Sequence, residues 1–300
     1  MPSKKASLTG MRRREELTAW LFISPIVLGI LIFQFYPTLF SFYISFTRWN
    51  LLTPPKWIGF SNFVELFTTD RFFYNTMSNT ATYAFWTMLI GLSLGLIFAA
   101  LLNQEIHGKY IYRAIYFVPV VAPTVAVALL WQWLYEPNFG VLNGMLRMIG
   151  VHGPNWLGNT TWAMRSVIVE AIWAGLGFNI LIFLAGLQGI PQEYYEAAEI
   201  DGANAIQKFF SITMPMLSPT TFFLLVTGVI GGFQVFDIPY IMTGGGPANA
   251  TQMVIMYLYN NAFTIQKMGL AAAISFIVFL LIITLTILNF QISKSWVFYE

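Results

Sequence analysis

Two histidines, thirteen carboxylates and no cysteine are the stock from which this 300-residue chain could build a reactive centre. The missing thiol excludes disulfides, thiolate nucleophiles and cysteine-held metals. His107 and His152 fall in separate loops. They lack the ligand spacing of a zinc site, so no metal is expected. A phosphate-wrapping loop needs GxxxxGK[ST], whose backbone N–H groups cradle the phosphates. No such sequence occurs; Gly244-Gly245-Gly246 runs into Pro247 and carries no lysine. An intramembrane enzyme would need convergent Ser/His/Asp or metal-type residues, and neither histidine lies in an apolar run.

What remains is polar chemistry inside apolar stretches. One such stretch holds Glu170, Trp173, Gly175, Phe178 and Asn179; the next holds Gly228, Gly231, Gly232, Gln234 and Asp237. Polar groups at membrane depth are functional candidates by default, although many only join helices. Gly91–Gly95 and Gly228–Gly232 are GxxxG pairs, the usual mark of close helix packing. Glu170 and Asp237 lie toward the outer ends of their stretches, where either could reach interfacial water.

Long apolar runs must position these residues. The chain is 57% hydrophobic and 9% charged, against about 25% charged in an ordinary globular domain. Runs of about 20 apolar residues read as membrane-spanning helices. The expected fold is therefore an all-α membrane protein with six transmembrane helices near 17–46, 79–102, 113–135, 165–187, 215–242 and 268–292. Residues 1–16 form an N-terminal tail ahead of a transmembrane domain over 17–300. No small-residue cleavage site follows the first run, which reads as a retained span. The basic clusters Lys4-Lys5 and Arg12-Arg13-Arg14 precede it. They place the N-terminus in the cytoplasm by the positive-inside rule, and they are too small a stripe for a nucleic-acid partner.

That orientation leaves an acidic bend over 188–214 on the cytoplasmic side. Pro191 suits a first helical turn. Glu193, Glu196 and Glu199 follow near the positive helix end. Gly202 is a natural stop, and helical composition resumes over 203–210. The expected form is helix, elbow, helix. Ala197 and Ala198 leave its middle bare for close approach by another surface, while Phe209, Phe210 and Ile212 are expected to dock on the bundle. On residue pattern alone, a solvated amphipathic helix at the membrane surface fits equally well.

Glu196-Ala197-Ala198, three residues, Gly202, nine residues, then Ile212-Thr213-Met214-Pro215 resembles the signature loop of binding-protein-dependent importer permeases, the membrane subunits of ABC transporters. Met214 stands where that pattern usually has leucine, a volume-conserving exchange. "IPQEYYEAAEIDGA", "GGFQVFDIPYIMTGGGPANAT" and "LFISPIVLGILIFQFYPTLFSFYISFTRWN" are similar to the carbohydrate branch of that family, of the maltose and glycerol-phosphate permease type. The similarity covers nearly the whole chain.

The resemblance implies a permease subunit of an ATP-driven sugar importer in a bacterial or archaeal inner membrane. Its implied partners are a second homologous permease, two copies of an ABC ATPase subunit, an extracytoplasmic solute-binding protein and membrane lipid. ATP and magnesium would sit on the ATPase, with no cofactor on this chain. Coupling falls to Glu196, Ala197, Ala198, Glu199, Asp201, Gly202, Ile212, Met214 and Pro215. The substrate path falls to Trp173, Gly175, Phe178, Asn179, Gly231, Gly232, Gln234 and Asp237, where aromatic faces suit sugar C–H surfaces and amides or carboxylates suit hydroxyls. A permease of this kind for glycerol phosphate or a polyamine is an alternative reading. No lysine or arginine lies deep in the fourth or fifth run to favour an anion. An ion-coupled secondary transporter is another alternative, and it would leave the elbow without a partner.

Overall fold

A computed structural model describes residues 5–104 and 107–298; Lys4 of the basic cluster lies outside them. Helix α1 (Lys5–Ile30) begins well before the apolar run, so residues 5–16 of the expected tail continue the first helix. A π turn at Leu31–Phe35 joins it to α2 (Tyr36–Ser45). The turn closes on the Tyr36 N–H and is followed at once by Pro37. A proline supplies no N–H and crowds the carbonyl four residues back, so a widened ladder just before it relieves both faults.

Strand β1 (Thr47–Arg48) pairs antiparallel with β2 (Lys56–Trp57), Thr47 opposite Trp57 and Arg48 opposite Lys56. Helix α3 (Ser61–Thr68) anchors this hairpin. The buried Asn62 amide donates to the Ser45 and Thr47 carbonyls at 2.8 and 2.9 Å. Helix α4 (Arg71–Leu102) starts under an Asp70 cap that accepts from the Phe73 N–H at 3.0 Å. The second crossing is thus helical from Arg71 rather than from Asn79.

The expected third crossing is two helices, α5 (Lys109–Val121) and α6 (Thr124–Leu134), bent by 101°. Pro123 holds Ala122 extended, as the residue before proline prefers. The short α7 (Val141–Met148) lies in the following loop. There Glu136 accepts from the Phe139 and Asn138 N–H groups, which hold its carboxyl below the usual carboxylate range.

Helix α8 (Thr160–Gln188) is capped by Asn159 and occupies the centre of the molecule. Half of its most apolar stretch is buried, against none in the first span. Small residues allow the closest approaches. A Cβ on Gly177 would strike the Tyr116 carbonyl of α5, and one on Gly95 of α4 would come within 2.7 Å of the Asn179 Cβ of α8.

Beyond the cap come α9 (Gln192–Ile200), α10 (Ala205–Lys208), a π turn at Phe209–Thr213, and α11 (Met214–Met216). Pro215 again follows the closure of the π turn by one residue, the arrangement seen at Pro37. Helix α12 (Ser218–Phe233) then ends earlier than the expected limit of 242. The chain breaks at Gln234–Phe236 and restarts as α13 (Asp237–Thr243). Helices α14 (Val254–Tyr259) and α15 (Met268–Ser293) complete the chain.

Among the described residues, four helical stretches are long and apolar enough to cross a membrane: Glu15–Ser45, Arg71–Leu102, Thr160–Gln188 and Met268–Ser293. Two bent pairs, Ile111–Val121 with Thr124–Leu134 and Ala205–Met216 with Ser218–Phe233, raise the number to six if each is one crossing.

Candidate functional site

Two places gather the residues singled out above: a groove among α4, α8 and α12, and the bend between α8 and α12.

The groove holds about 290 Å³. Gly175, Phe178 and Asn179 of α8 line it together with Gly231 and Gly232 of α12 and with Tyr83 and Thr87 of α4. Sequence reasoning passed over Tyr83 and Thr87, whose run also holds Asn79, Thr80, Thr82 and Ser93, so polarity alone does not single them out. The glycines divide the labour. A Cβ on Gly228 would meet Met88 at 2.9 Å and one on Gly232 would meet Ala84 at 2.7 Å, so both press α12 onto α4. Gly231 has open space before it and is exposed. Thr87 and Thr227 spend their hydroxyl protons on helix carbonyls, Tyr83 and Phe223. Their oxygens therefore face the groove as acceptors. Phe178 is 40% exposed and offers an apolar ring face beside the half-buried Asn179.

Trp173 does not line this groove. Its ring lies edge-on against Trp131 of α6, with centroids 5.6 Å apart. Gln234 sits at the break after α12 and Asp237 at the start of α13, both exposed and outside the groove lining. Glu170 does not reach water: it is completely buried, and neither carboxylate oxygen has a hydrogen-bond partner among the described residues.

The bend is stiff for its size. Helix α9 ends with Gly202 in the left-handed region at φ +77°. The Gly202 N–H bonds the Glu199 carbonyl at 3.0 Å, and the Ala203 N–H bonds the Ala198 carbonyl at 2.9 Å. This double closure is the Schellman ending that glycine supports. Asn204 and Gln207 then form a reciprocal capping box that starts α10 two residues later. A Lys208–Glu199 ion pair at 2.7 Å ties α10 to α9, and the Tyr195 and Thr213 hydroxyls meet at 2.9 Å.

None of α9 is buried. Glu196, Ala197, Glu199 and Asp201 are exposed, and Ala198 is half-buried. Around them stand bare apolar side chains: Ile200 is 87% exposed, Ile206 70% and Phe210 62%. The expected docking of Phe210 on the bundle is therefore not what the structure has. Its neighbours Phe209 and Ile212 are half-buried, and the π turn swings Phe210 outward. Met214 is 44% exposed, and Pro215 is half-buried behind it. A rigid elbow with acids and large uncovered apolar groups is a surface suited to a protein partner.

Comparison with known proteins defines the class. Residues 91–296 match the family described as "Binding-protein-dependent transport system inner membrane component", and the chain belongs to that family. It is 38% identical over 292 residues to "Probable ABC transporter permease protein YesP" of Bacillus subtilis (strain 168), covering 96% of this chain and 94% of the relative. It is 34% identical over 285 residues to "Trehalose/maltose transport system permease protein MalF" of Thermococcus litoralis, covering 95% and 96%. In three dimensions it is similar to a bacterial ABC transporter involved in the import of the acidic polysaccharide alginate. That match has a TM-score of 0.84 at 25% identity and covers 97% of this chain and 99% of that one. The chain is thus a membrane-embedded ABC transporter permease, a transport component.

Proposed function

We propose that this permease forms half of the pore of an ATP-driven sugar importer. A second, homologous permease supplies the other half. Two copies of an ABC ATPase subunit, carrying ATP and magnesium, engage the two elbows. An extracytoplasmic binding protein delivers the sugar to the outer segments 47–78 and 243–267. Each bent helix pair counts as one crossing, giving six, with the N-terminus cytoplasmic in a bacterial or archaeal inner membrane.

The α9–α10 elbow is the observation that carries this reading. Its two helices are locked by the Gly202 ending, the Asn204 box and the Glu199–Lys208 pair, so force applied to α9 passes into α12 through Met214 and Pro215. Glu196, Ala197, Ala198, Glu199, Asp201 and Ile212 present the surface that receives the ATPase. Closure of the ATPase pair then rocks α8 and α12 as rigid bodies and switches access to the groove.

A sugar suits the groove on chemical grounds. Phe178 offers a face for C–H groups, Asn179 an amide for hydroxyls, and Gly175, Gly231 and Gly232 leave width. Trp173, Gln234 and Asp237 stand off the groove in this state and belong to the path only if rocking brings them in. Similar proteins named for trehalose and maltose and for alginate favour a saccharide cargo over a polyamine.

The test uses the assembled transporter in liposomes. Ala197 is exposed, so Ala197→Trp leaves folding intact and blocks the ATPase cleft. The expected result is normal insertion with ATP hydrolysis uncoupled from sugar uptake. Full uptake by the variant would contradict the coupling role.

A further inference from the structure

A cavity of about 520 Å³ lies where two apolar spans end. Helix α2 closes the first span at Ser45, and α15 opens the last at Met268. The β1–β2 hairpin is clamped between them. The Met268 N–H donates to the Trp49 carbonyl at 2.9 Å, and a Cβ on Gly269 would strike the Thr47 carbonyl. The ends of crossing helices stand at the depth of lipid headgroups. Aromatic rings mark the same level. Trp57 is 60% exposed and Phe60 69%, and both pack on Phe46, with centroids 5.5 and 5.2 Å away. Exposed rings of this kind belong at a membrane–water boundary.

Three cations line the cavity: Arg48, Lys56 and Lys267. Arg48 stands directly opposite Lys56 in the strand pair. Like charges so placed destabilise a hairpin. Lys267 is set by a strained turn. Gln266 before it lies in the left-handed region at φ +60°, and the Lys267 N–H bonds the Asn261 carbonyl at 2.7 Å. Strain of this sort gathers at functional sites. None of the three cations forms an ion pair with a described residue. Glu65 is the one carboxylate among the lining residues, and it pairs with none of them. The wall is left with surplus positive charge and two cations face to face, which an anion between them would relieve.

Depth and shape select the anion. Trp49 of the wall meets the exposed Phe40 ring of α2 at 6.3 Å, so apolar surface continues from the cavity onto the flank of the first span. A phospholipid uses both parts, phosphate in the cavity and acyl chains along α2. A carboxylate from a docking protein matches the charge but leaves that flank bare. We propose that the cavity seats the headgroup of an anionic phospholipid, its phosphodiester held by Arg48, Lys56 and Lys267. A glycerol headgroup also brings hydroxyls that donate to Glu65. A choline headgroup brings a further positive charge and no donor. The inference goes beyond sugar import and rests only on the chain's place in a membrane.

The test titrates the assembled transporter, purified in neutral detergent, with phosphatidylglycerol or phosphatidylcholine of matched chains. Bound lipid is counted by native mass spectrometry. The expected result is a phosphatidylglycerol held roughly tenfold more tightly than phosphatidylcholine, and its loss in the triple variant Arg48→Gln, Lys56→Gln, Lys267→Gln. All three side chains are exposed, and removing the facing charges relieves the hairpin. If the triple variant nevertheless fails to assemble, Lys56→Gln alone decides, with phosphatidylglycerol bound about fivefold more weakly. Equal binding of the two lipids, or a preference unchanged by the substitutions, would overturn the proposal. Inorganic phosphate that displaces the lipid at equal concentration would make this a free-anion site and overturn it too. So would loss of binding-protein association by the triple variant in phosphatidylcholine alone, since the cations would then serve that protein. Sugar uptake in phosphatidylcholine liposomes reports separately on the import reading.

Discussion

At the residue scale, neighbouring glycines do unlike work. Gly232 touches α4 through Ala84, whereas Gly231 faces the open groove. Gly232→Leu should therefore overpack the α4–α12 seam, costing about 1–3 kcal/mol, and should lower the melting temperature of the purified protein. Gly231→Leu should leave melting unchanged and reduce sugar uptake by narrowing the groove. Equal melting losses for the two would show that the groove assignment is wrong. Gly202 is needed for another reason. Its φ of +77° lies where a β-branched residue is strained, although nothing crowds the position. Gly202→Val should cost about 1–2 kcal/mol locally and weaken assembly with the ATPase in a pull-down, while the spans still insert. Unchanged assembly would count against the elbow geometry.

At the element scale, the elbow was legible because its signals are local. Proline before the first helix, acids in it and glycine after it each act within a turn or two. The capping box was also there to be read in Asn204 and Gln207, three residues apart. The breaks inside the apolar runs were not read. Hydropathy stays high straight through Ala122-Pro123 and through Phe233–Phe236, so a window average reports one crossing where the chain bends or restarts. Pro123 carried the missing signal, since proline disfavours helix in the residue before it. The groove was half legible. Phe178, Asn179 and the glycines stood out as polar or small residues in apolar runs. Tyr83 and Thr87 enter only because α4 packs on both α8 and α12. The burial of Glu170 without a hydrogen-bond partner among the described residues is set by tertiary packing, and no spacing rule reports it.

At the scale of the whole molecule, the chain leaves much of its apolar surface uncovered. The first span buries none of its most apolar stretch within the chain. Large side chains such as Phe22 (75%) and Phe33 (79%) stand exposed on it and require lipid or a partner chain. The purified chain should show no ATP hydrolysis in a phosphate-release assay, because no phosphate-wrapping sequence is present. Robust turnover by the chain alone would refute its place as a subunit driven by a separate motor.

The most direct measurement of that dependence places a cysteine at Ala197 in this cysteine-free chain and crosslinks the assembled transporter with a short bifunctional maleimide after cysteines have been introduced along the ATPase cleft. The account predicts efficient crosslinking of Ala197→Cys to the ATPase subunit and none from a Thr53→Cys control in the segment it assigns to binding-protein docking. Absence of the Ala197 crosslink in a transporter that still hydrolyses ATP and imports its solute would contradict it.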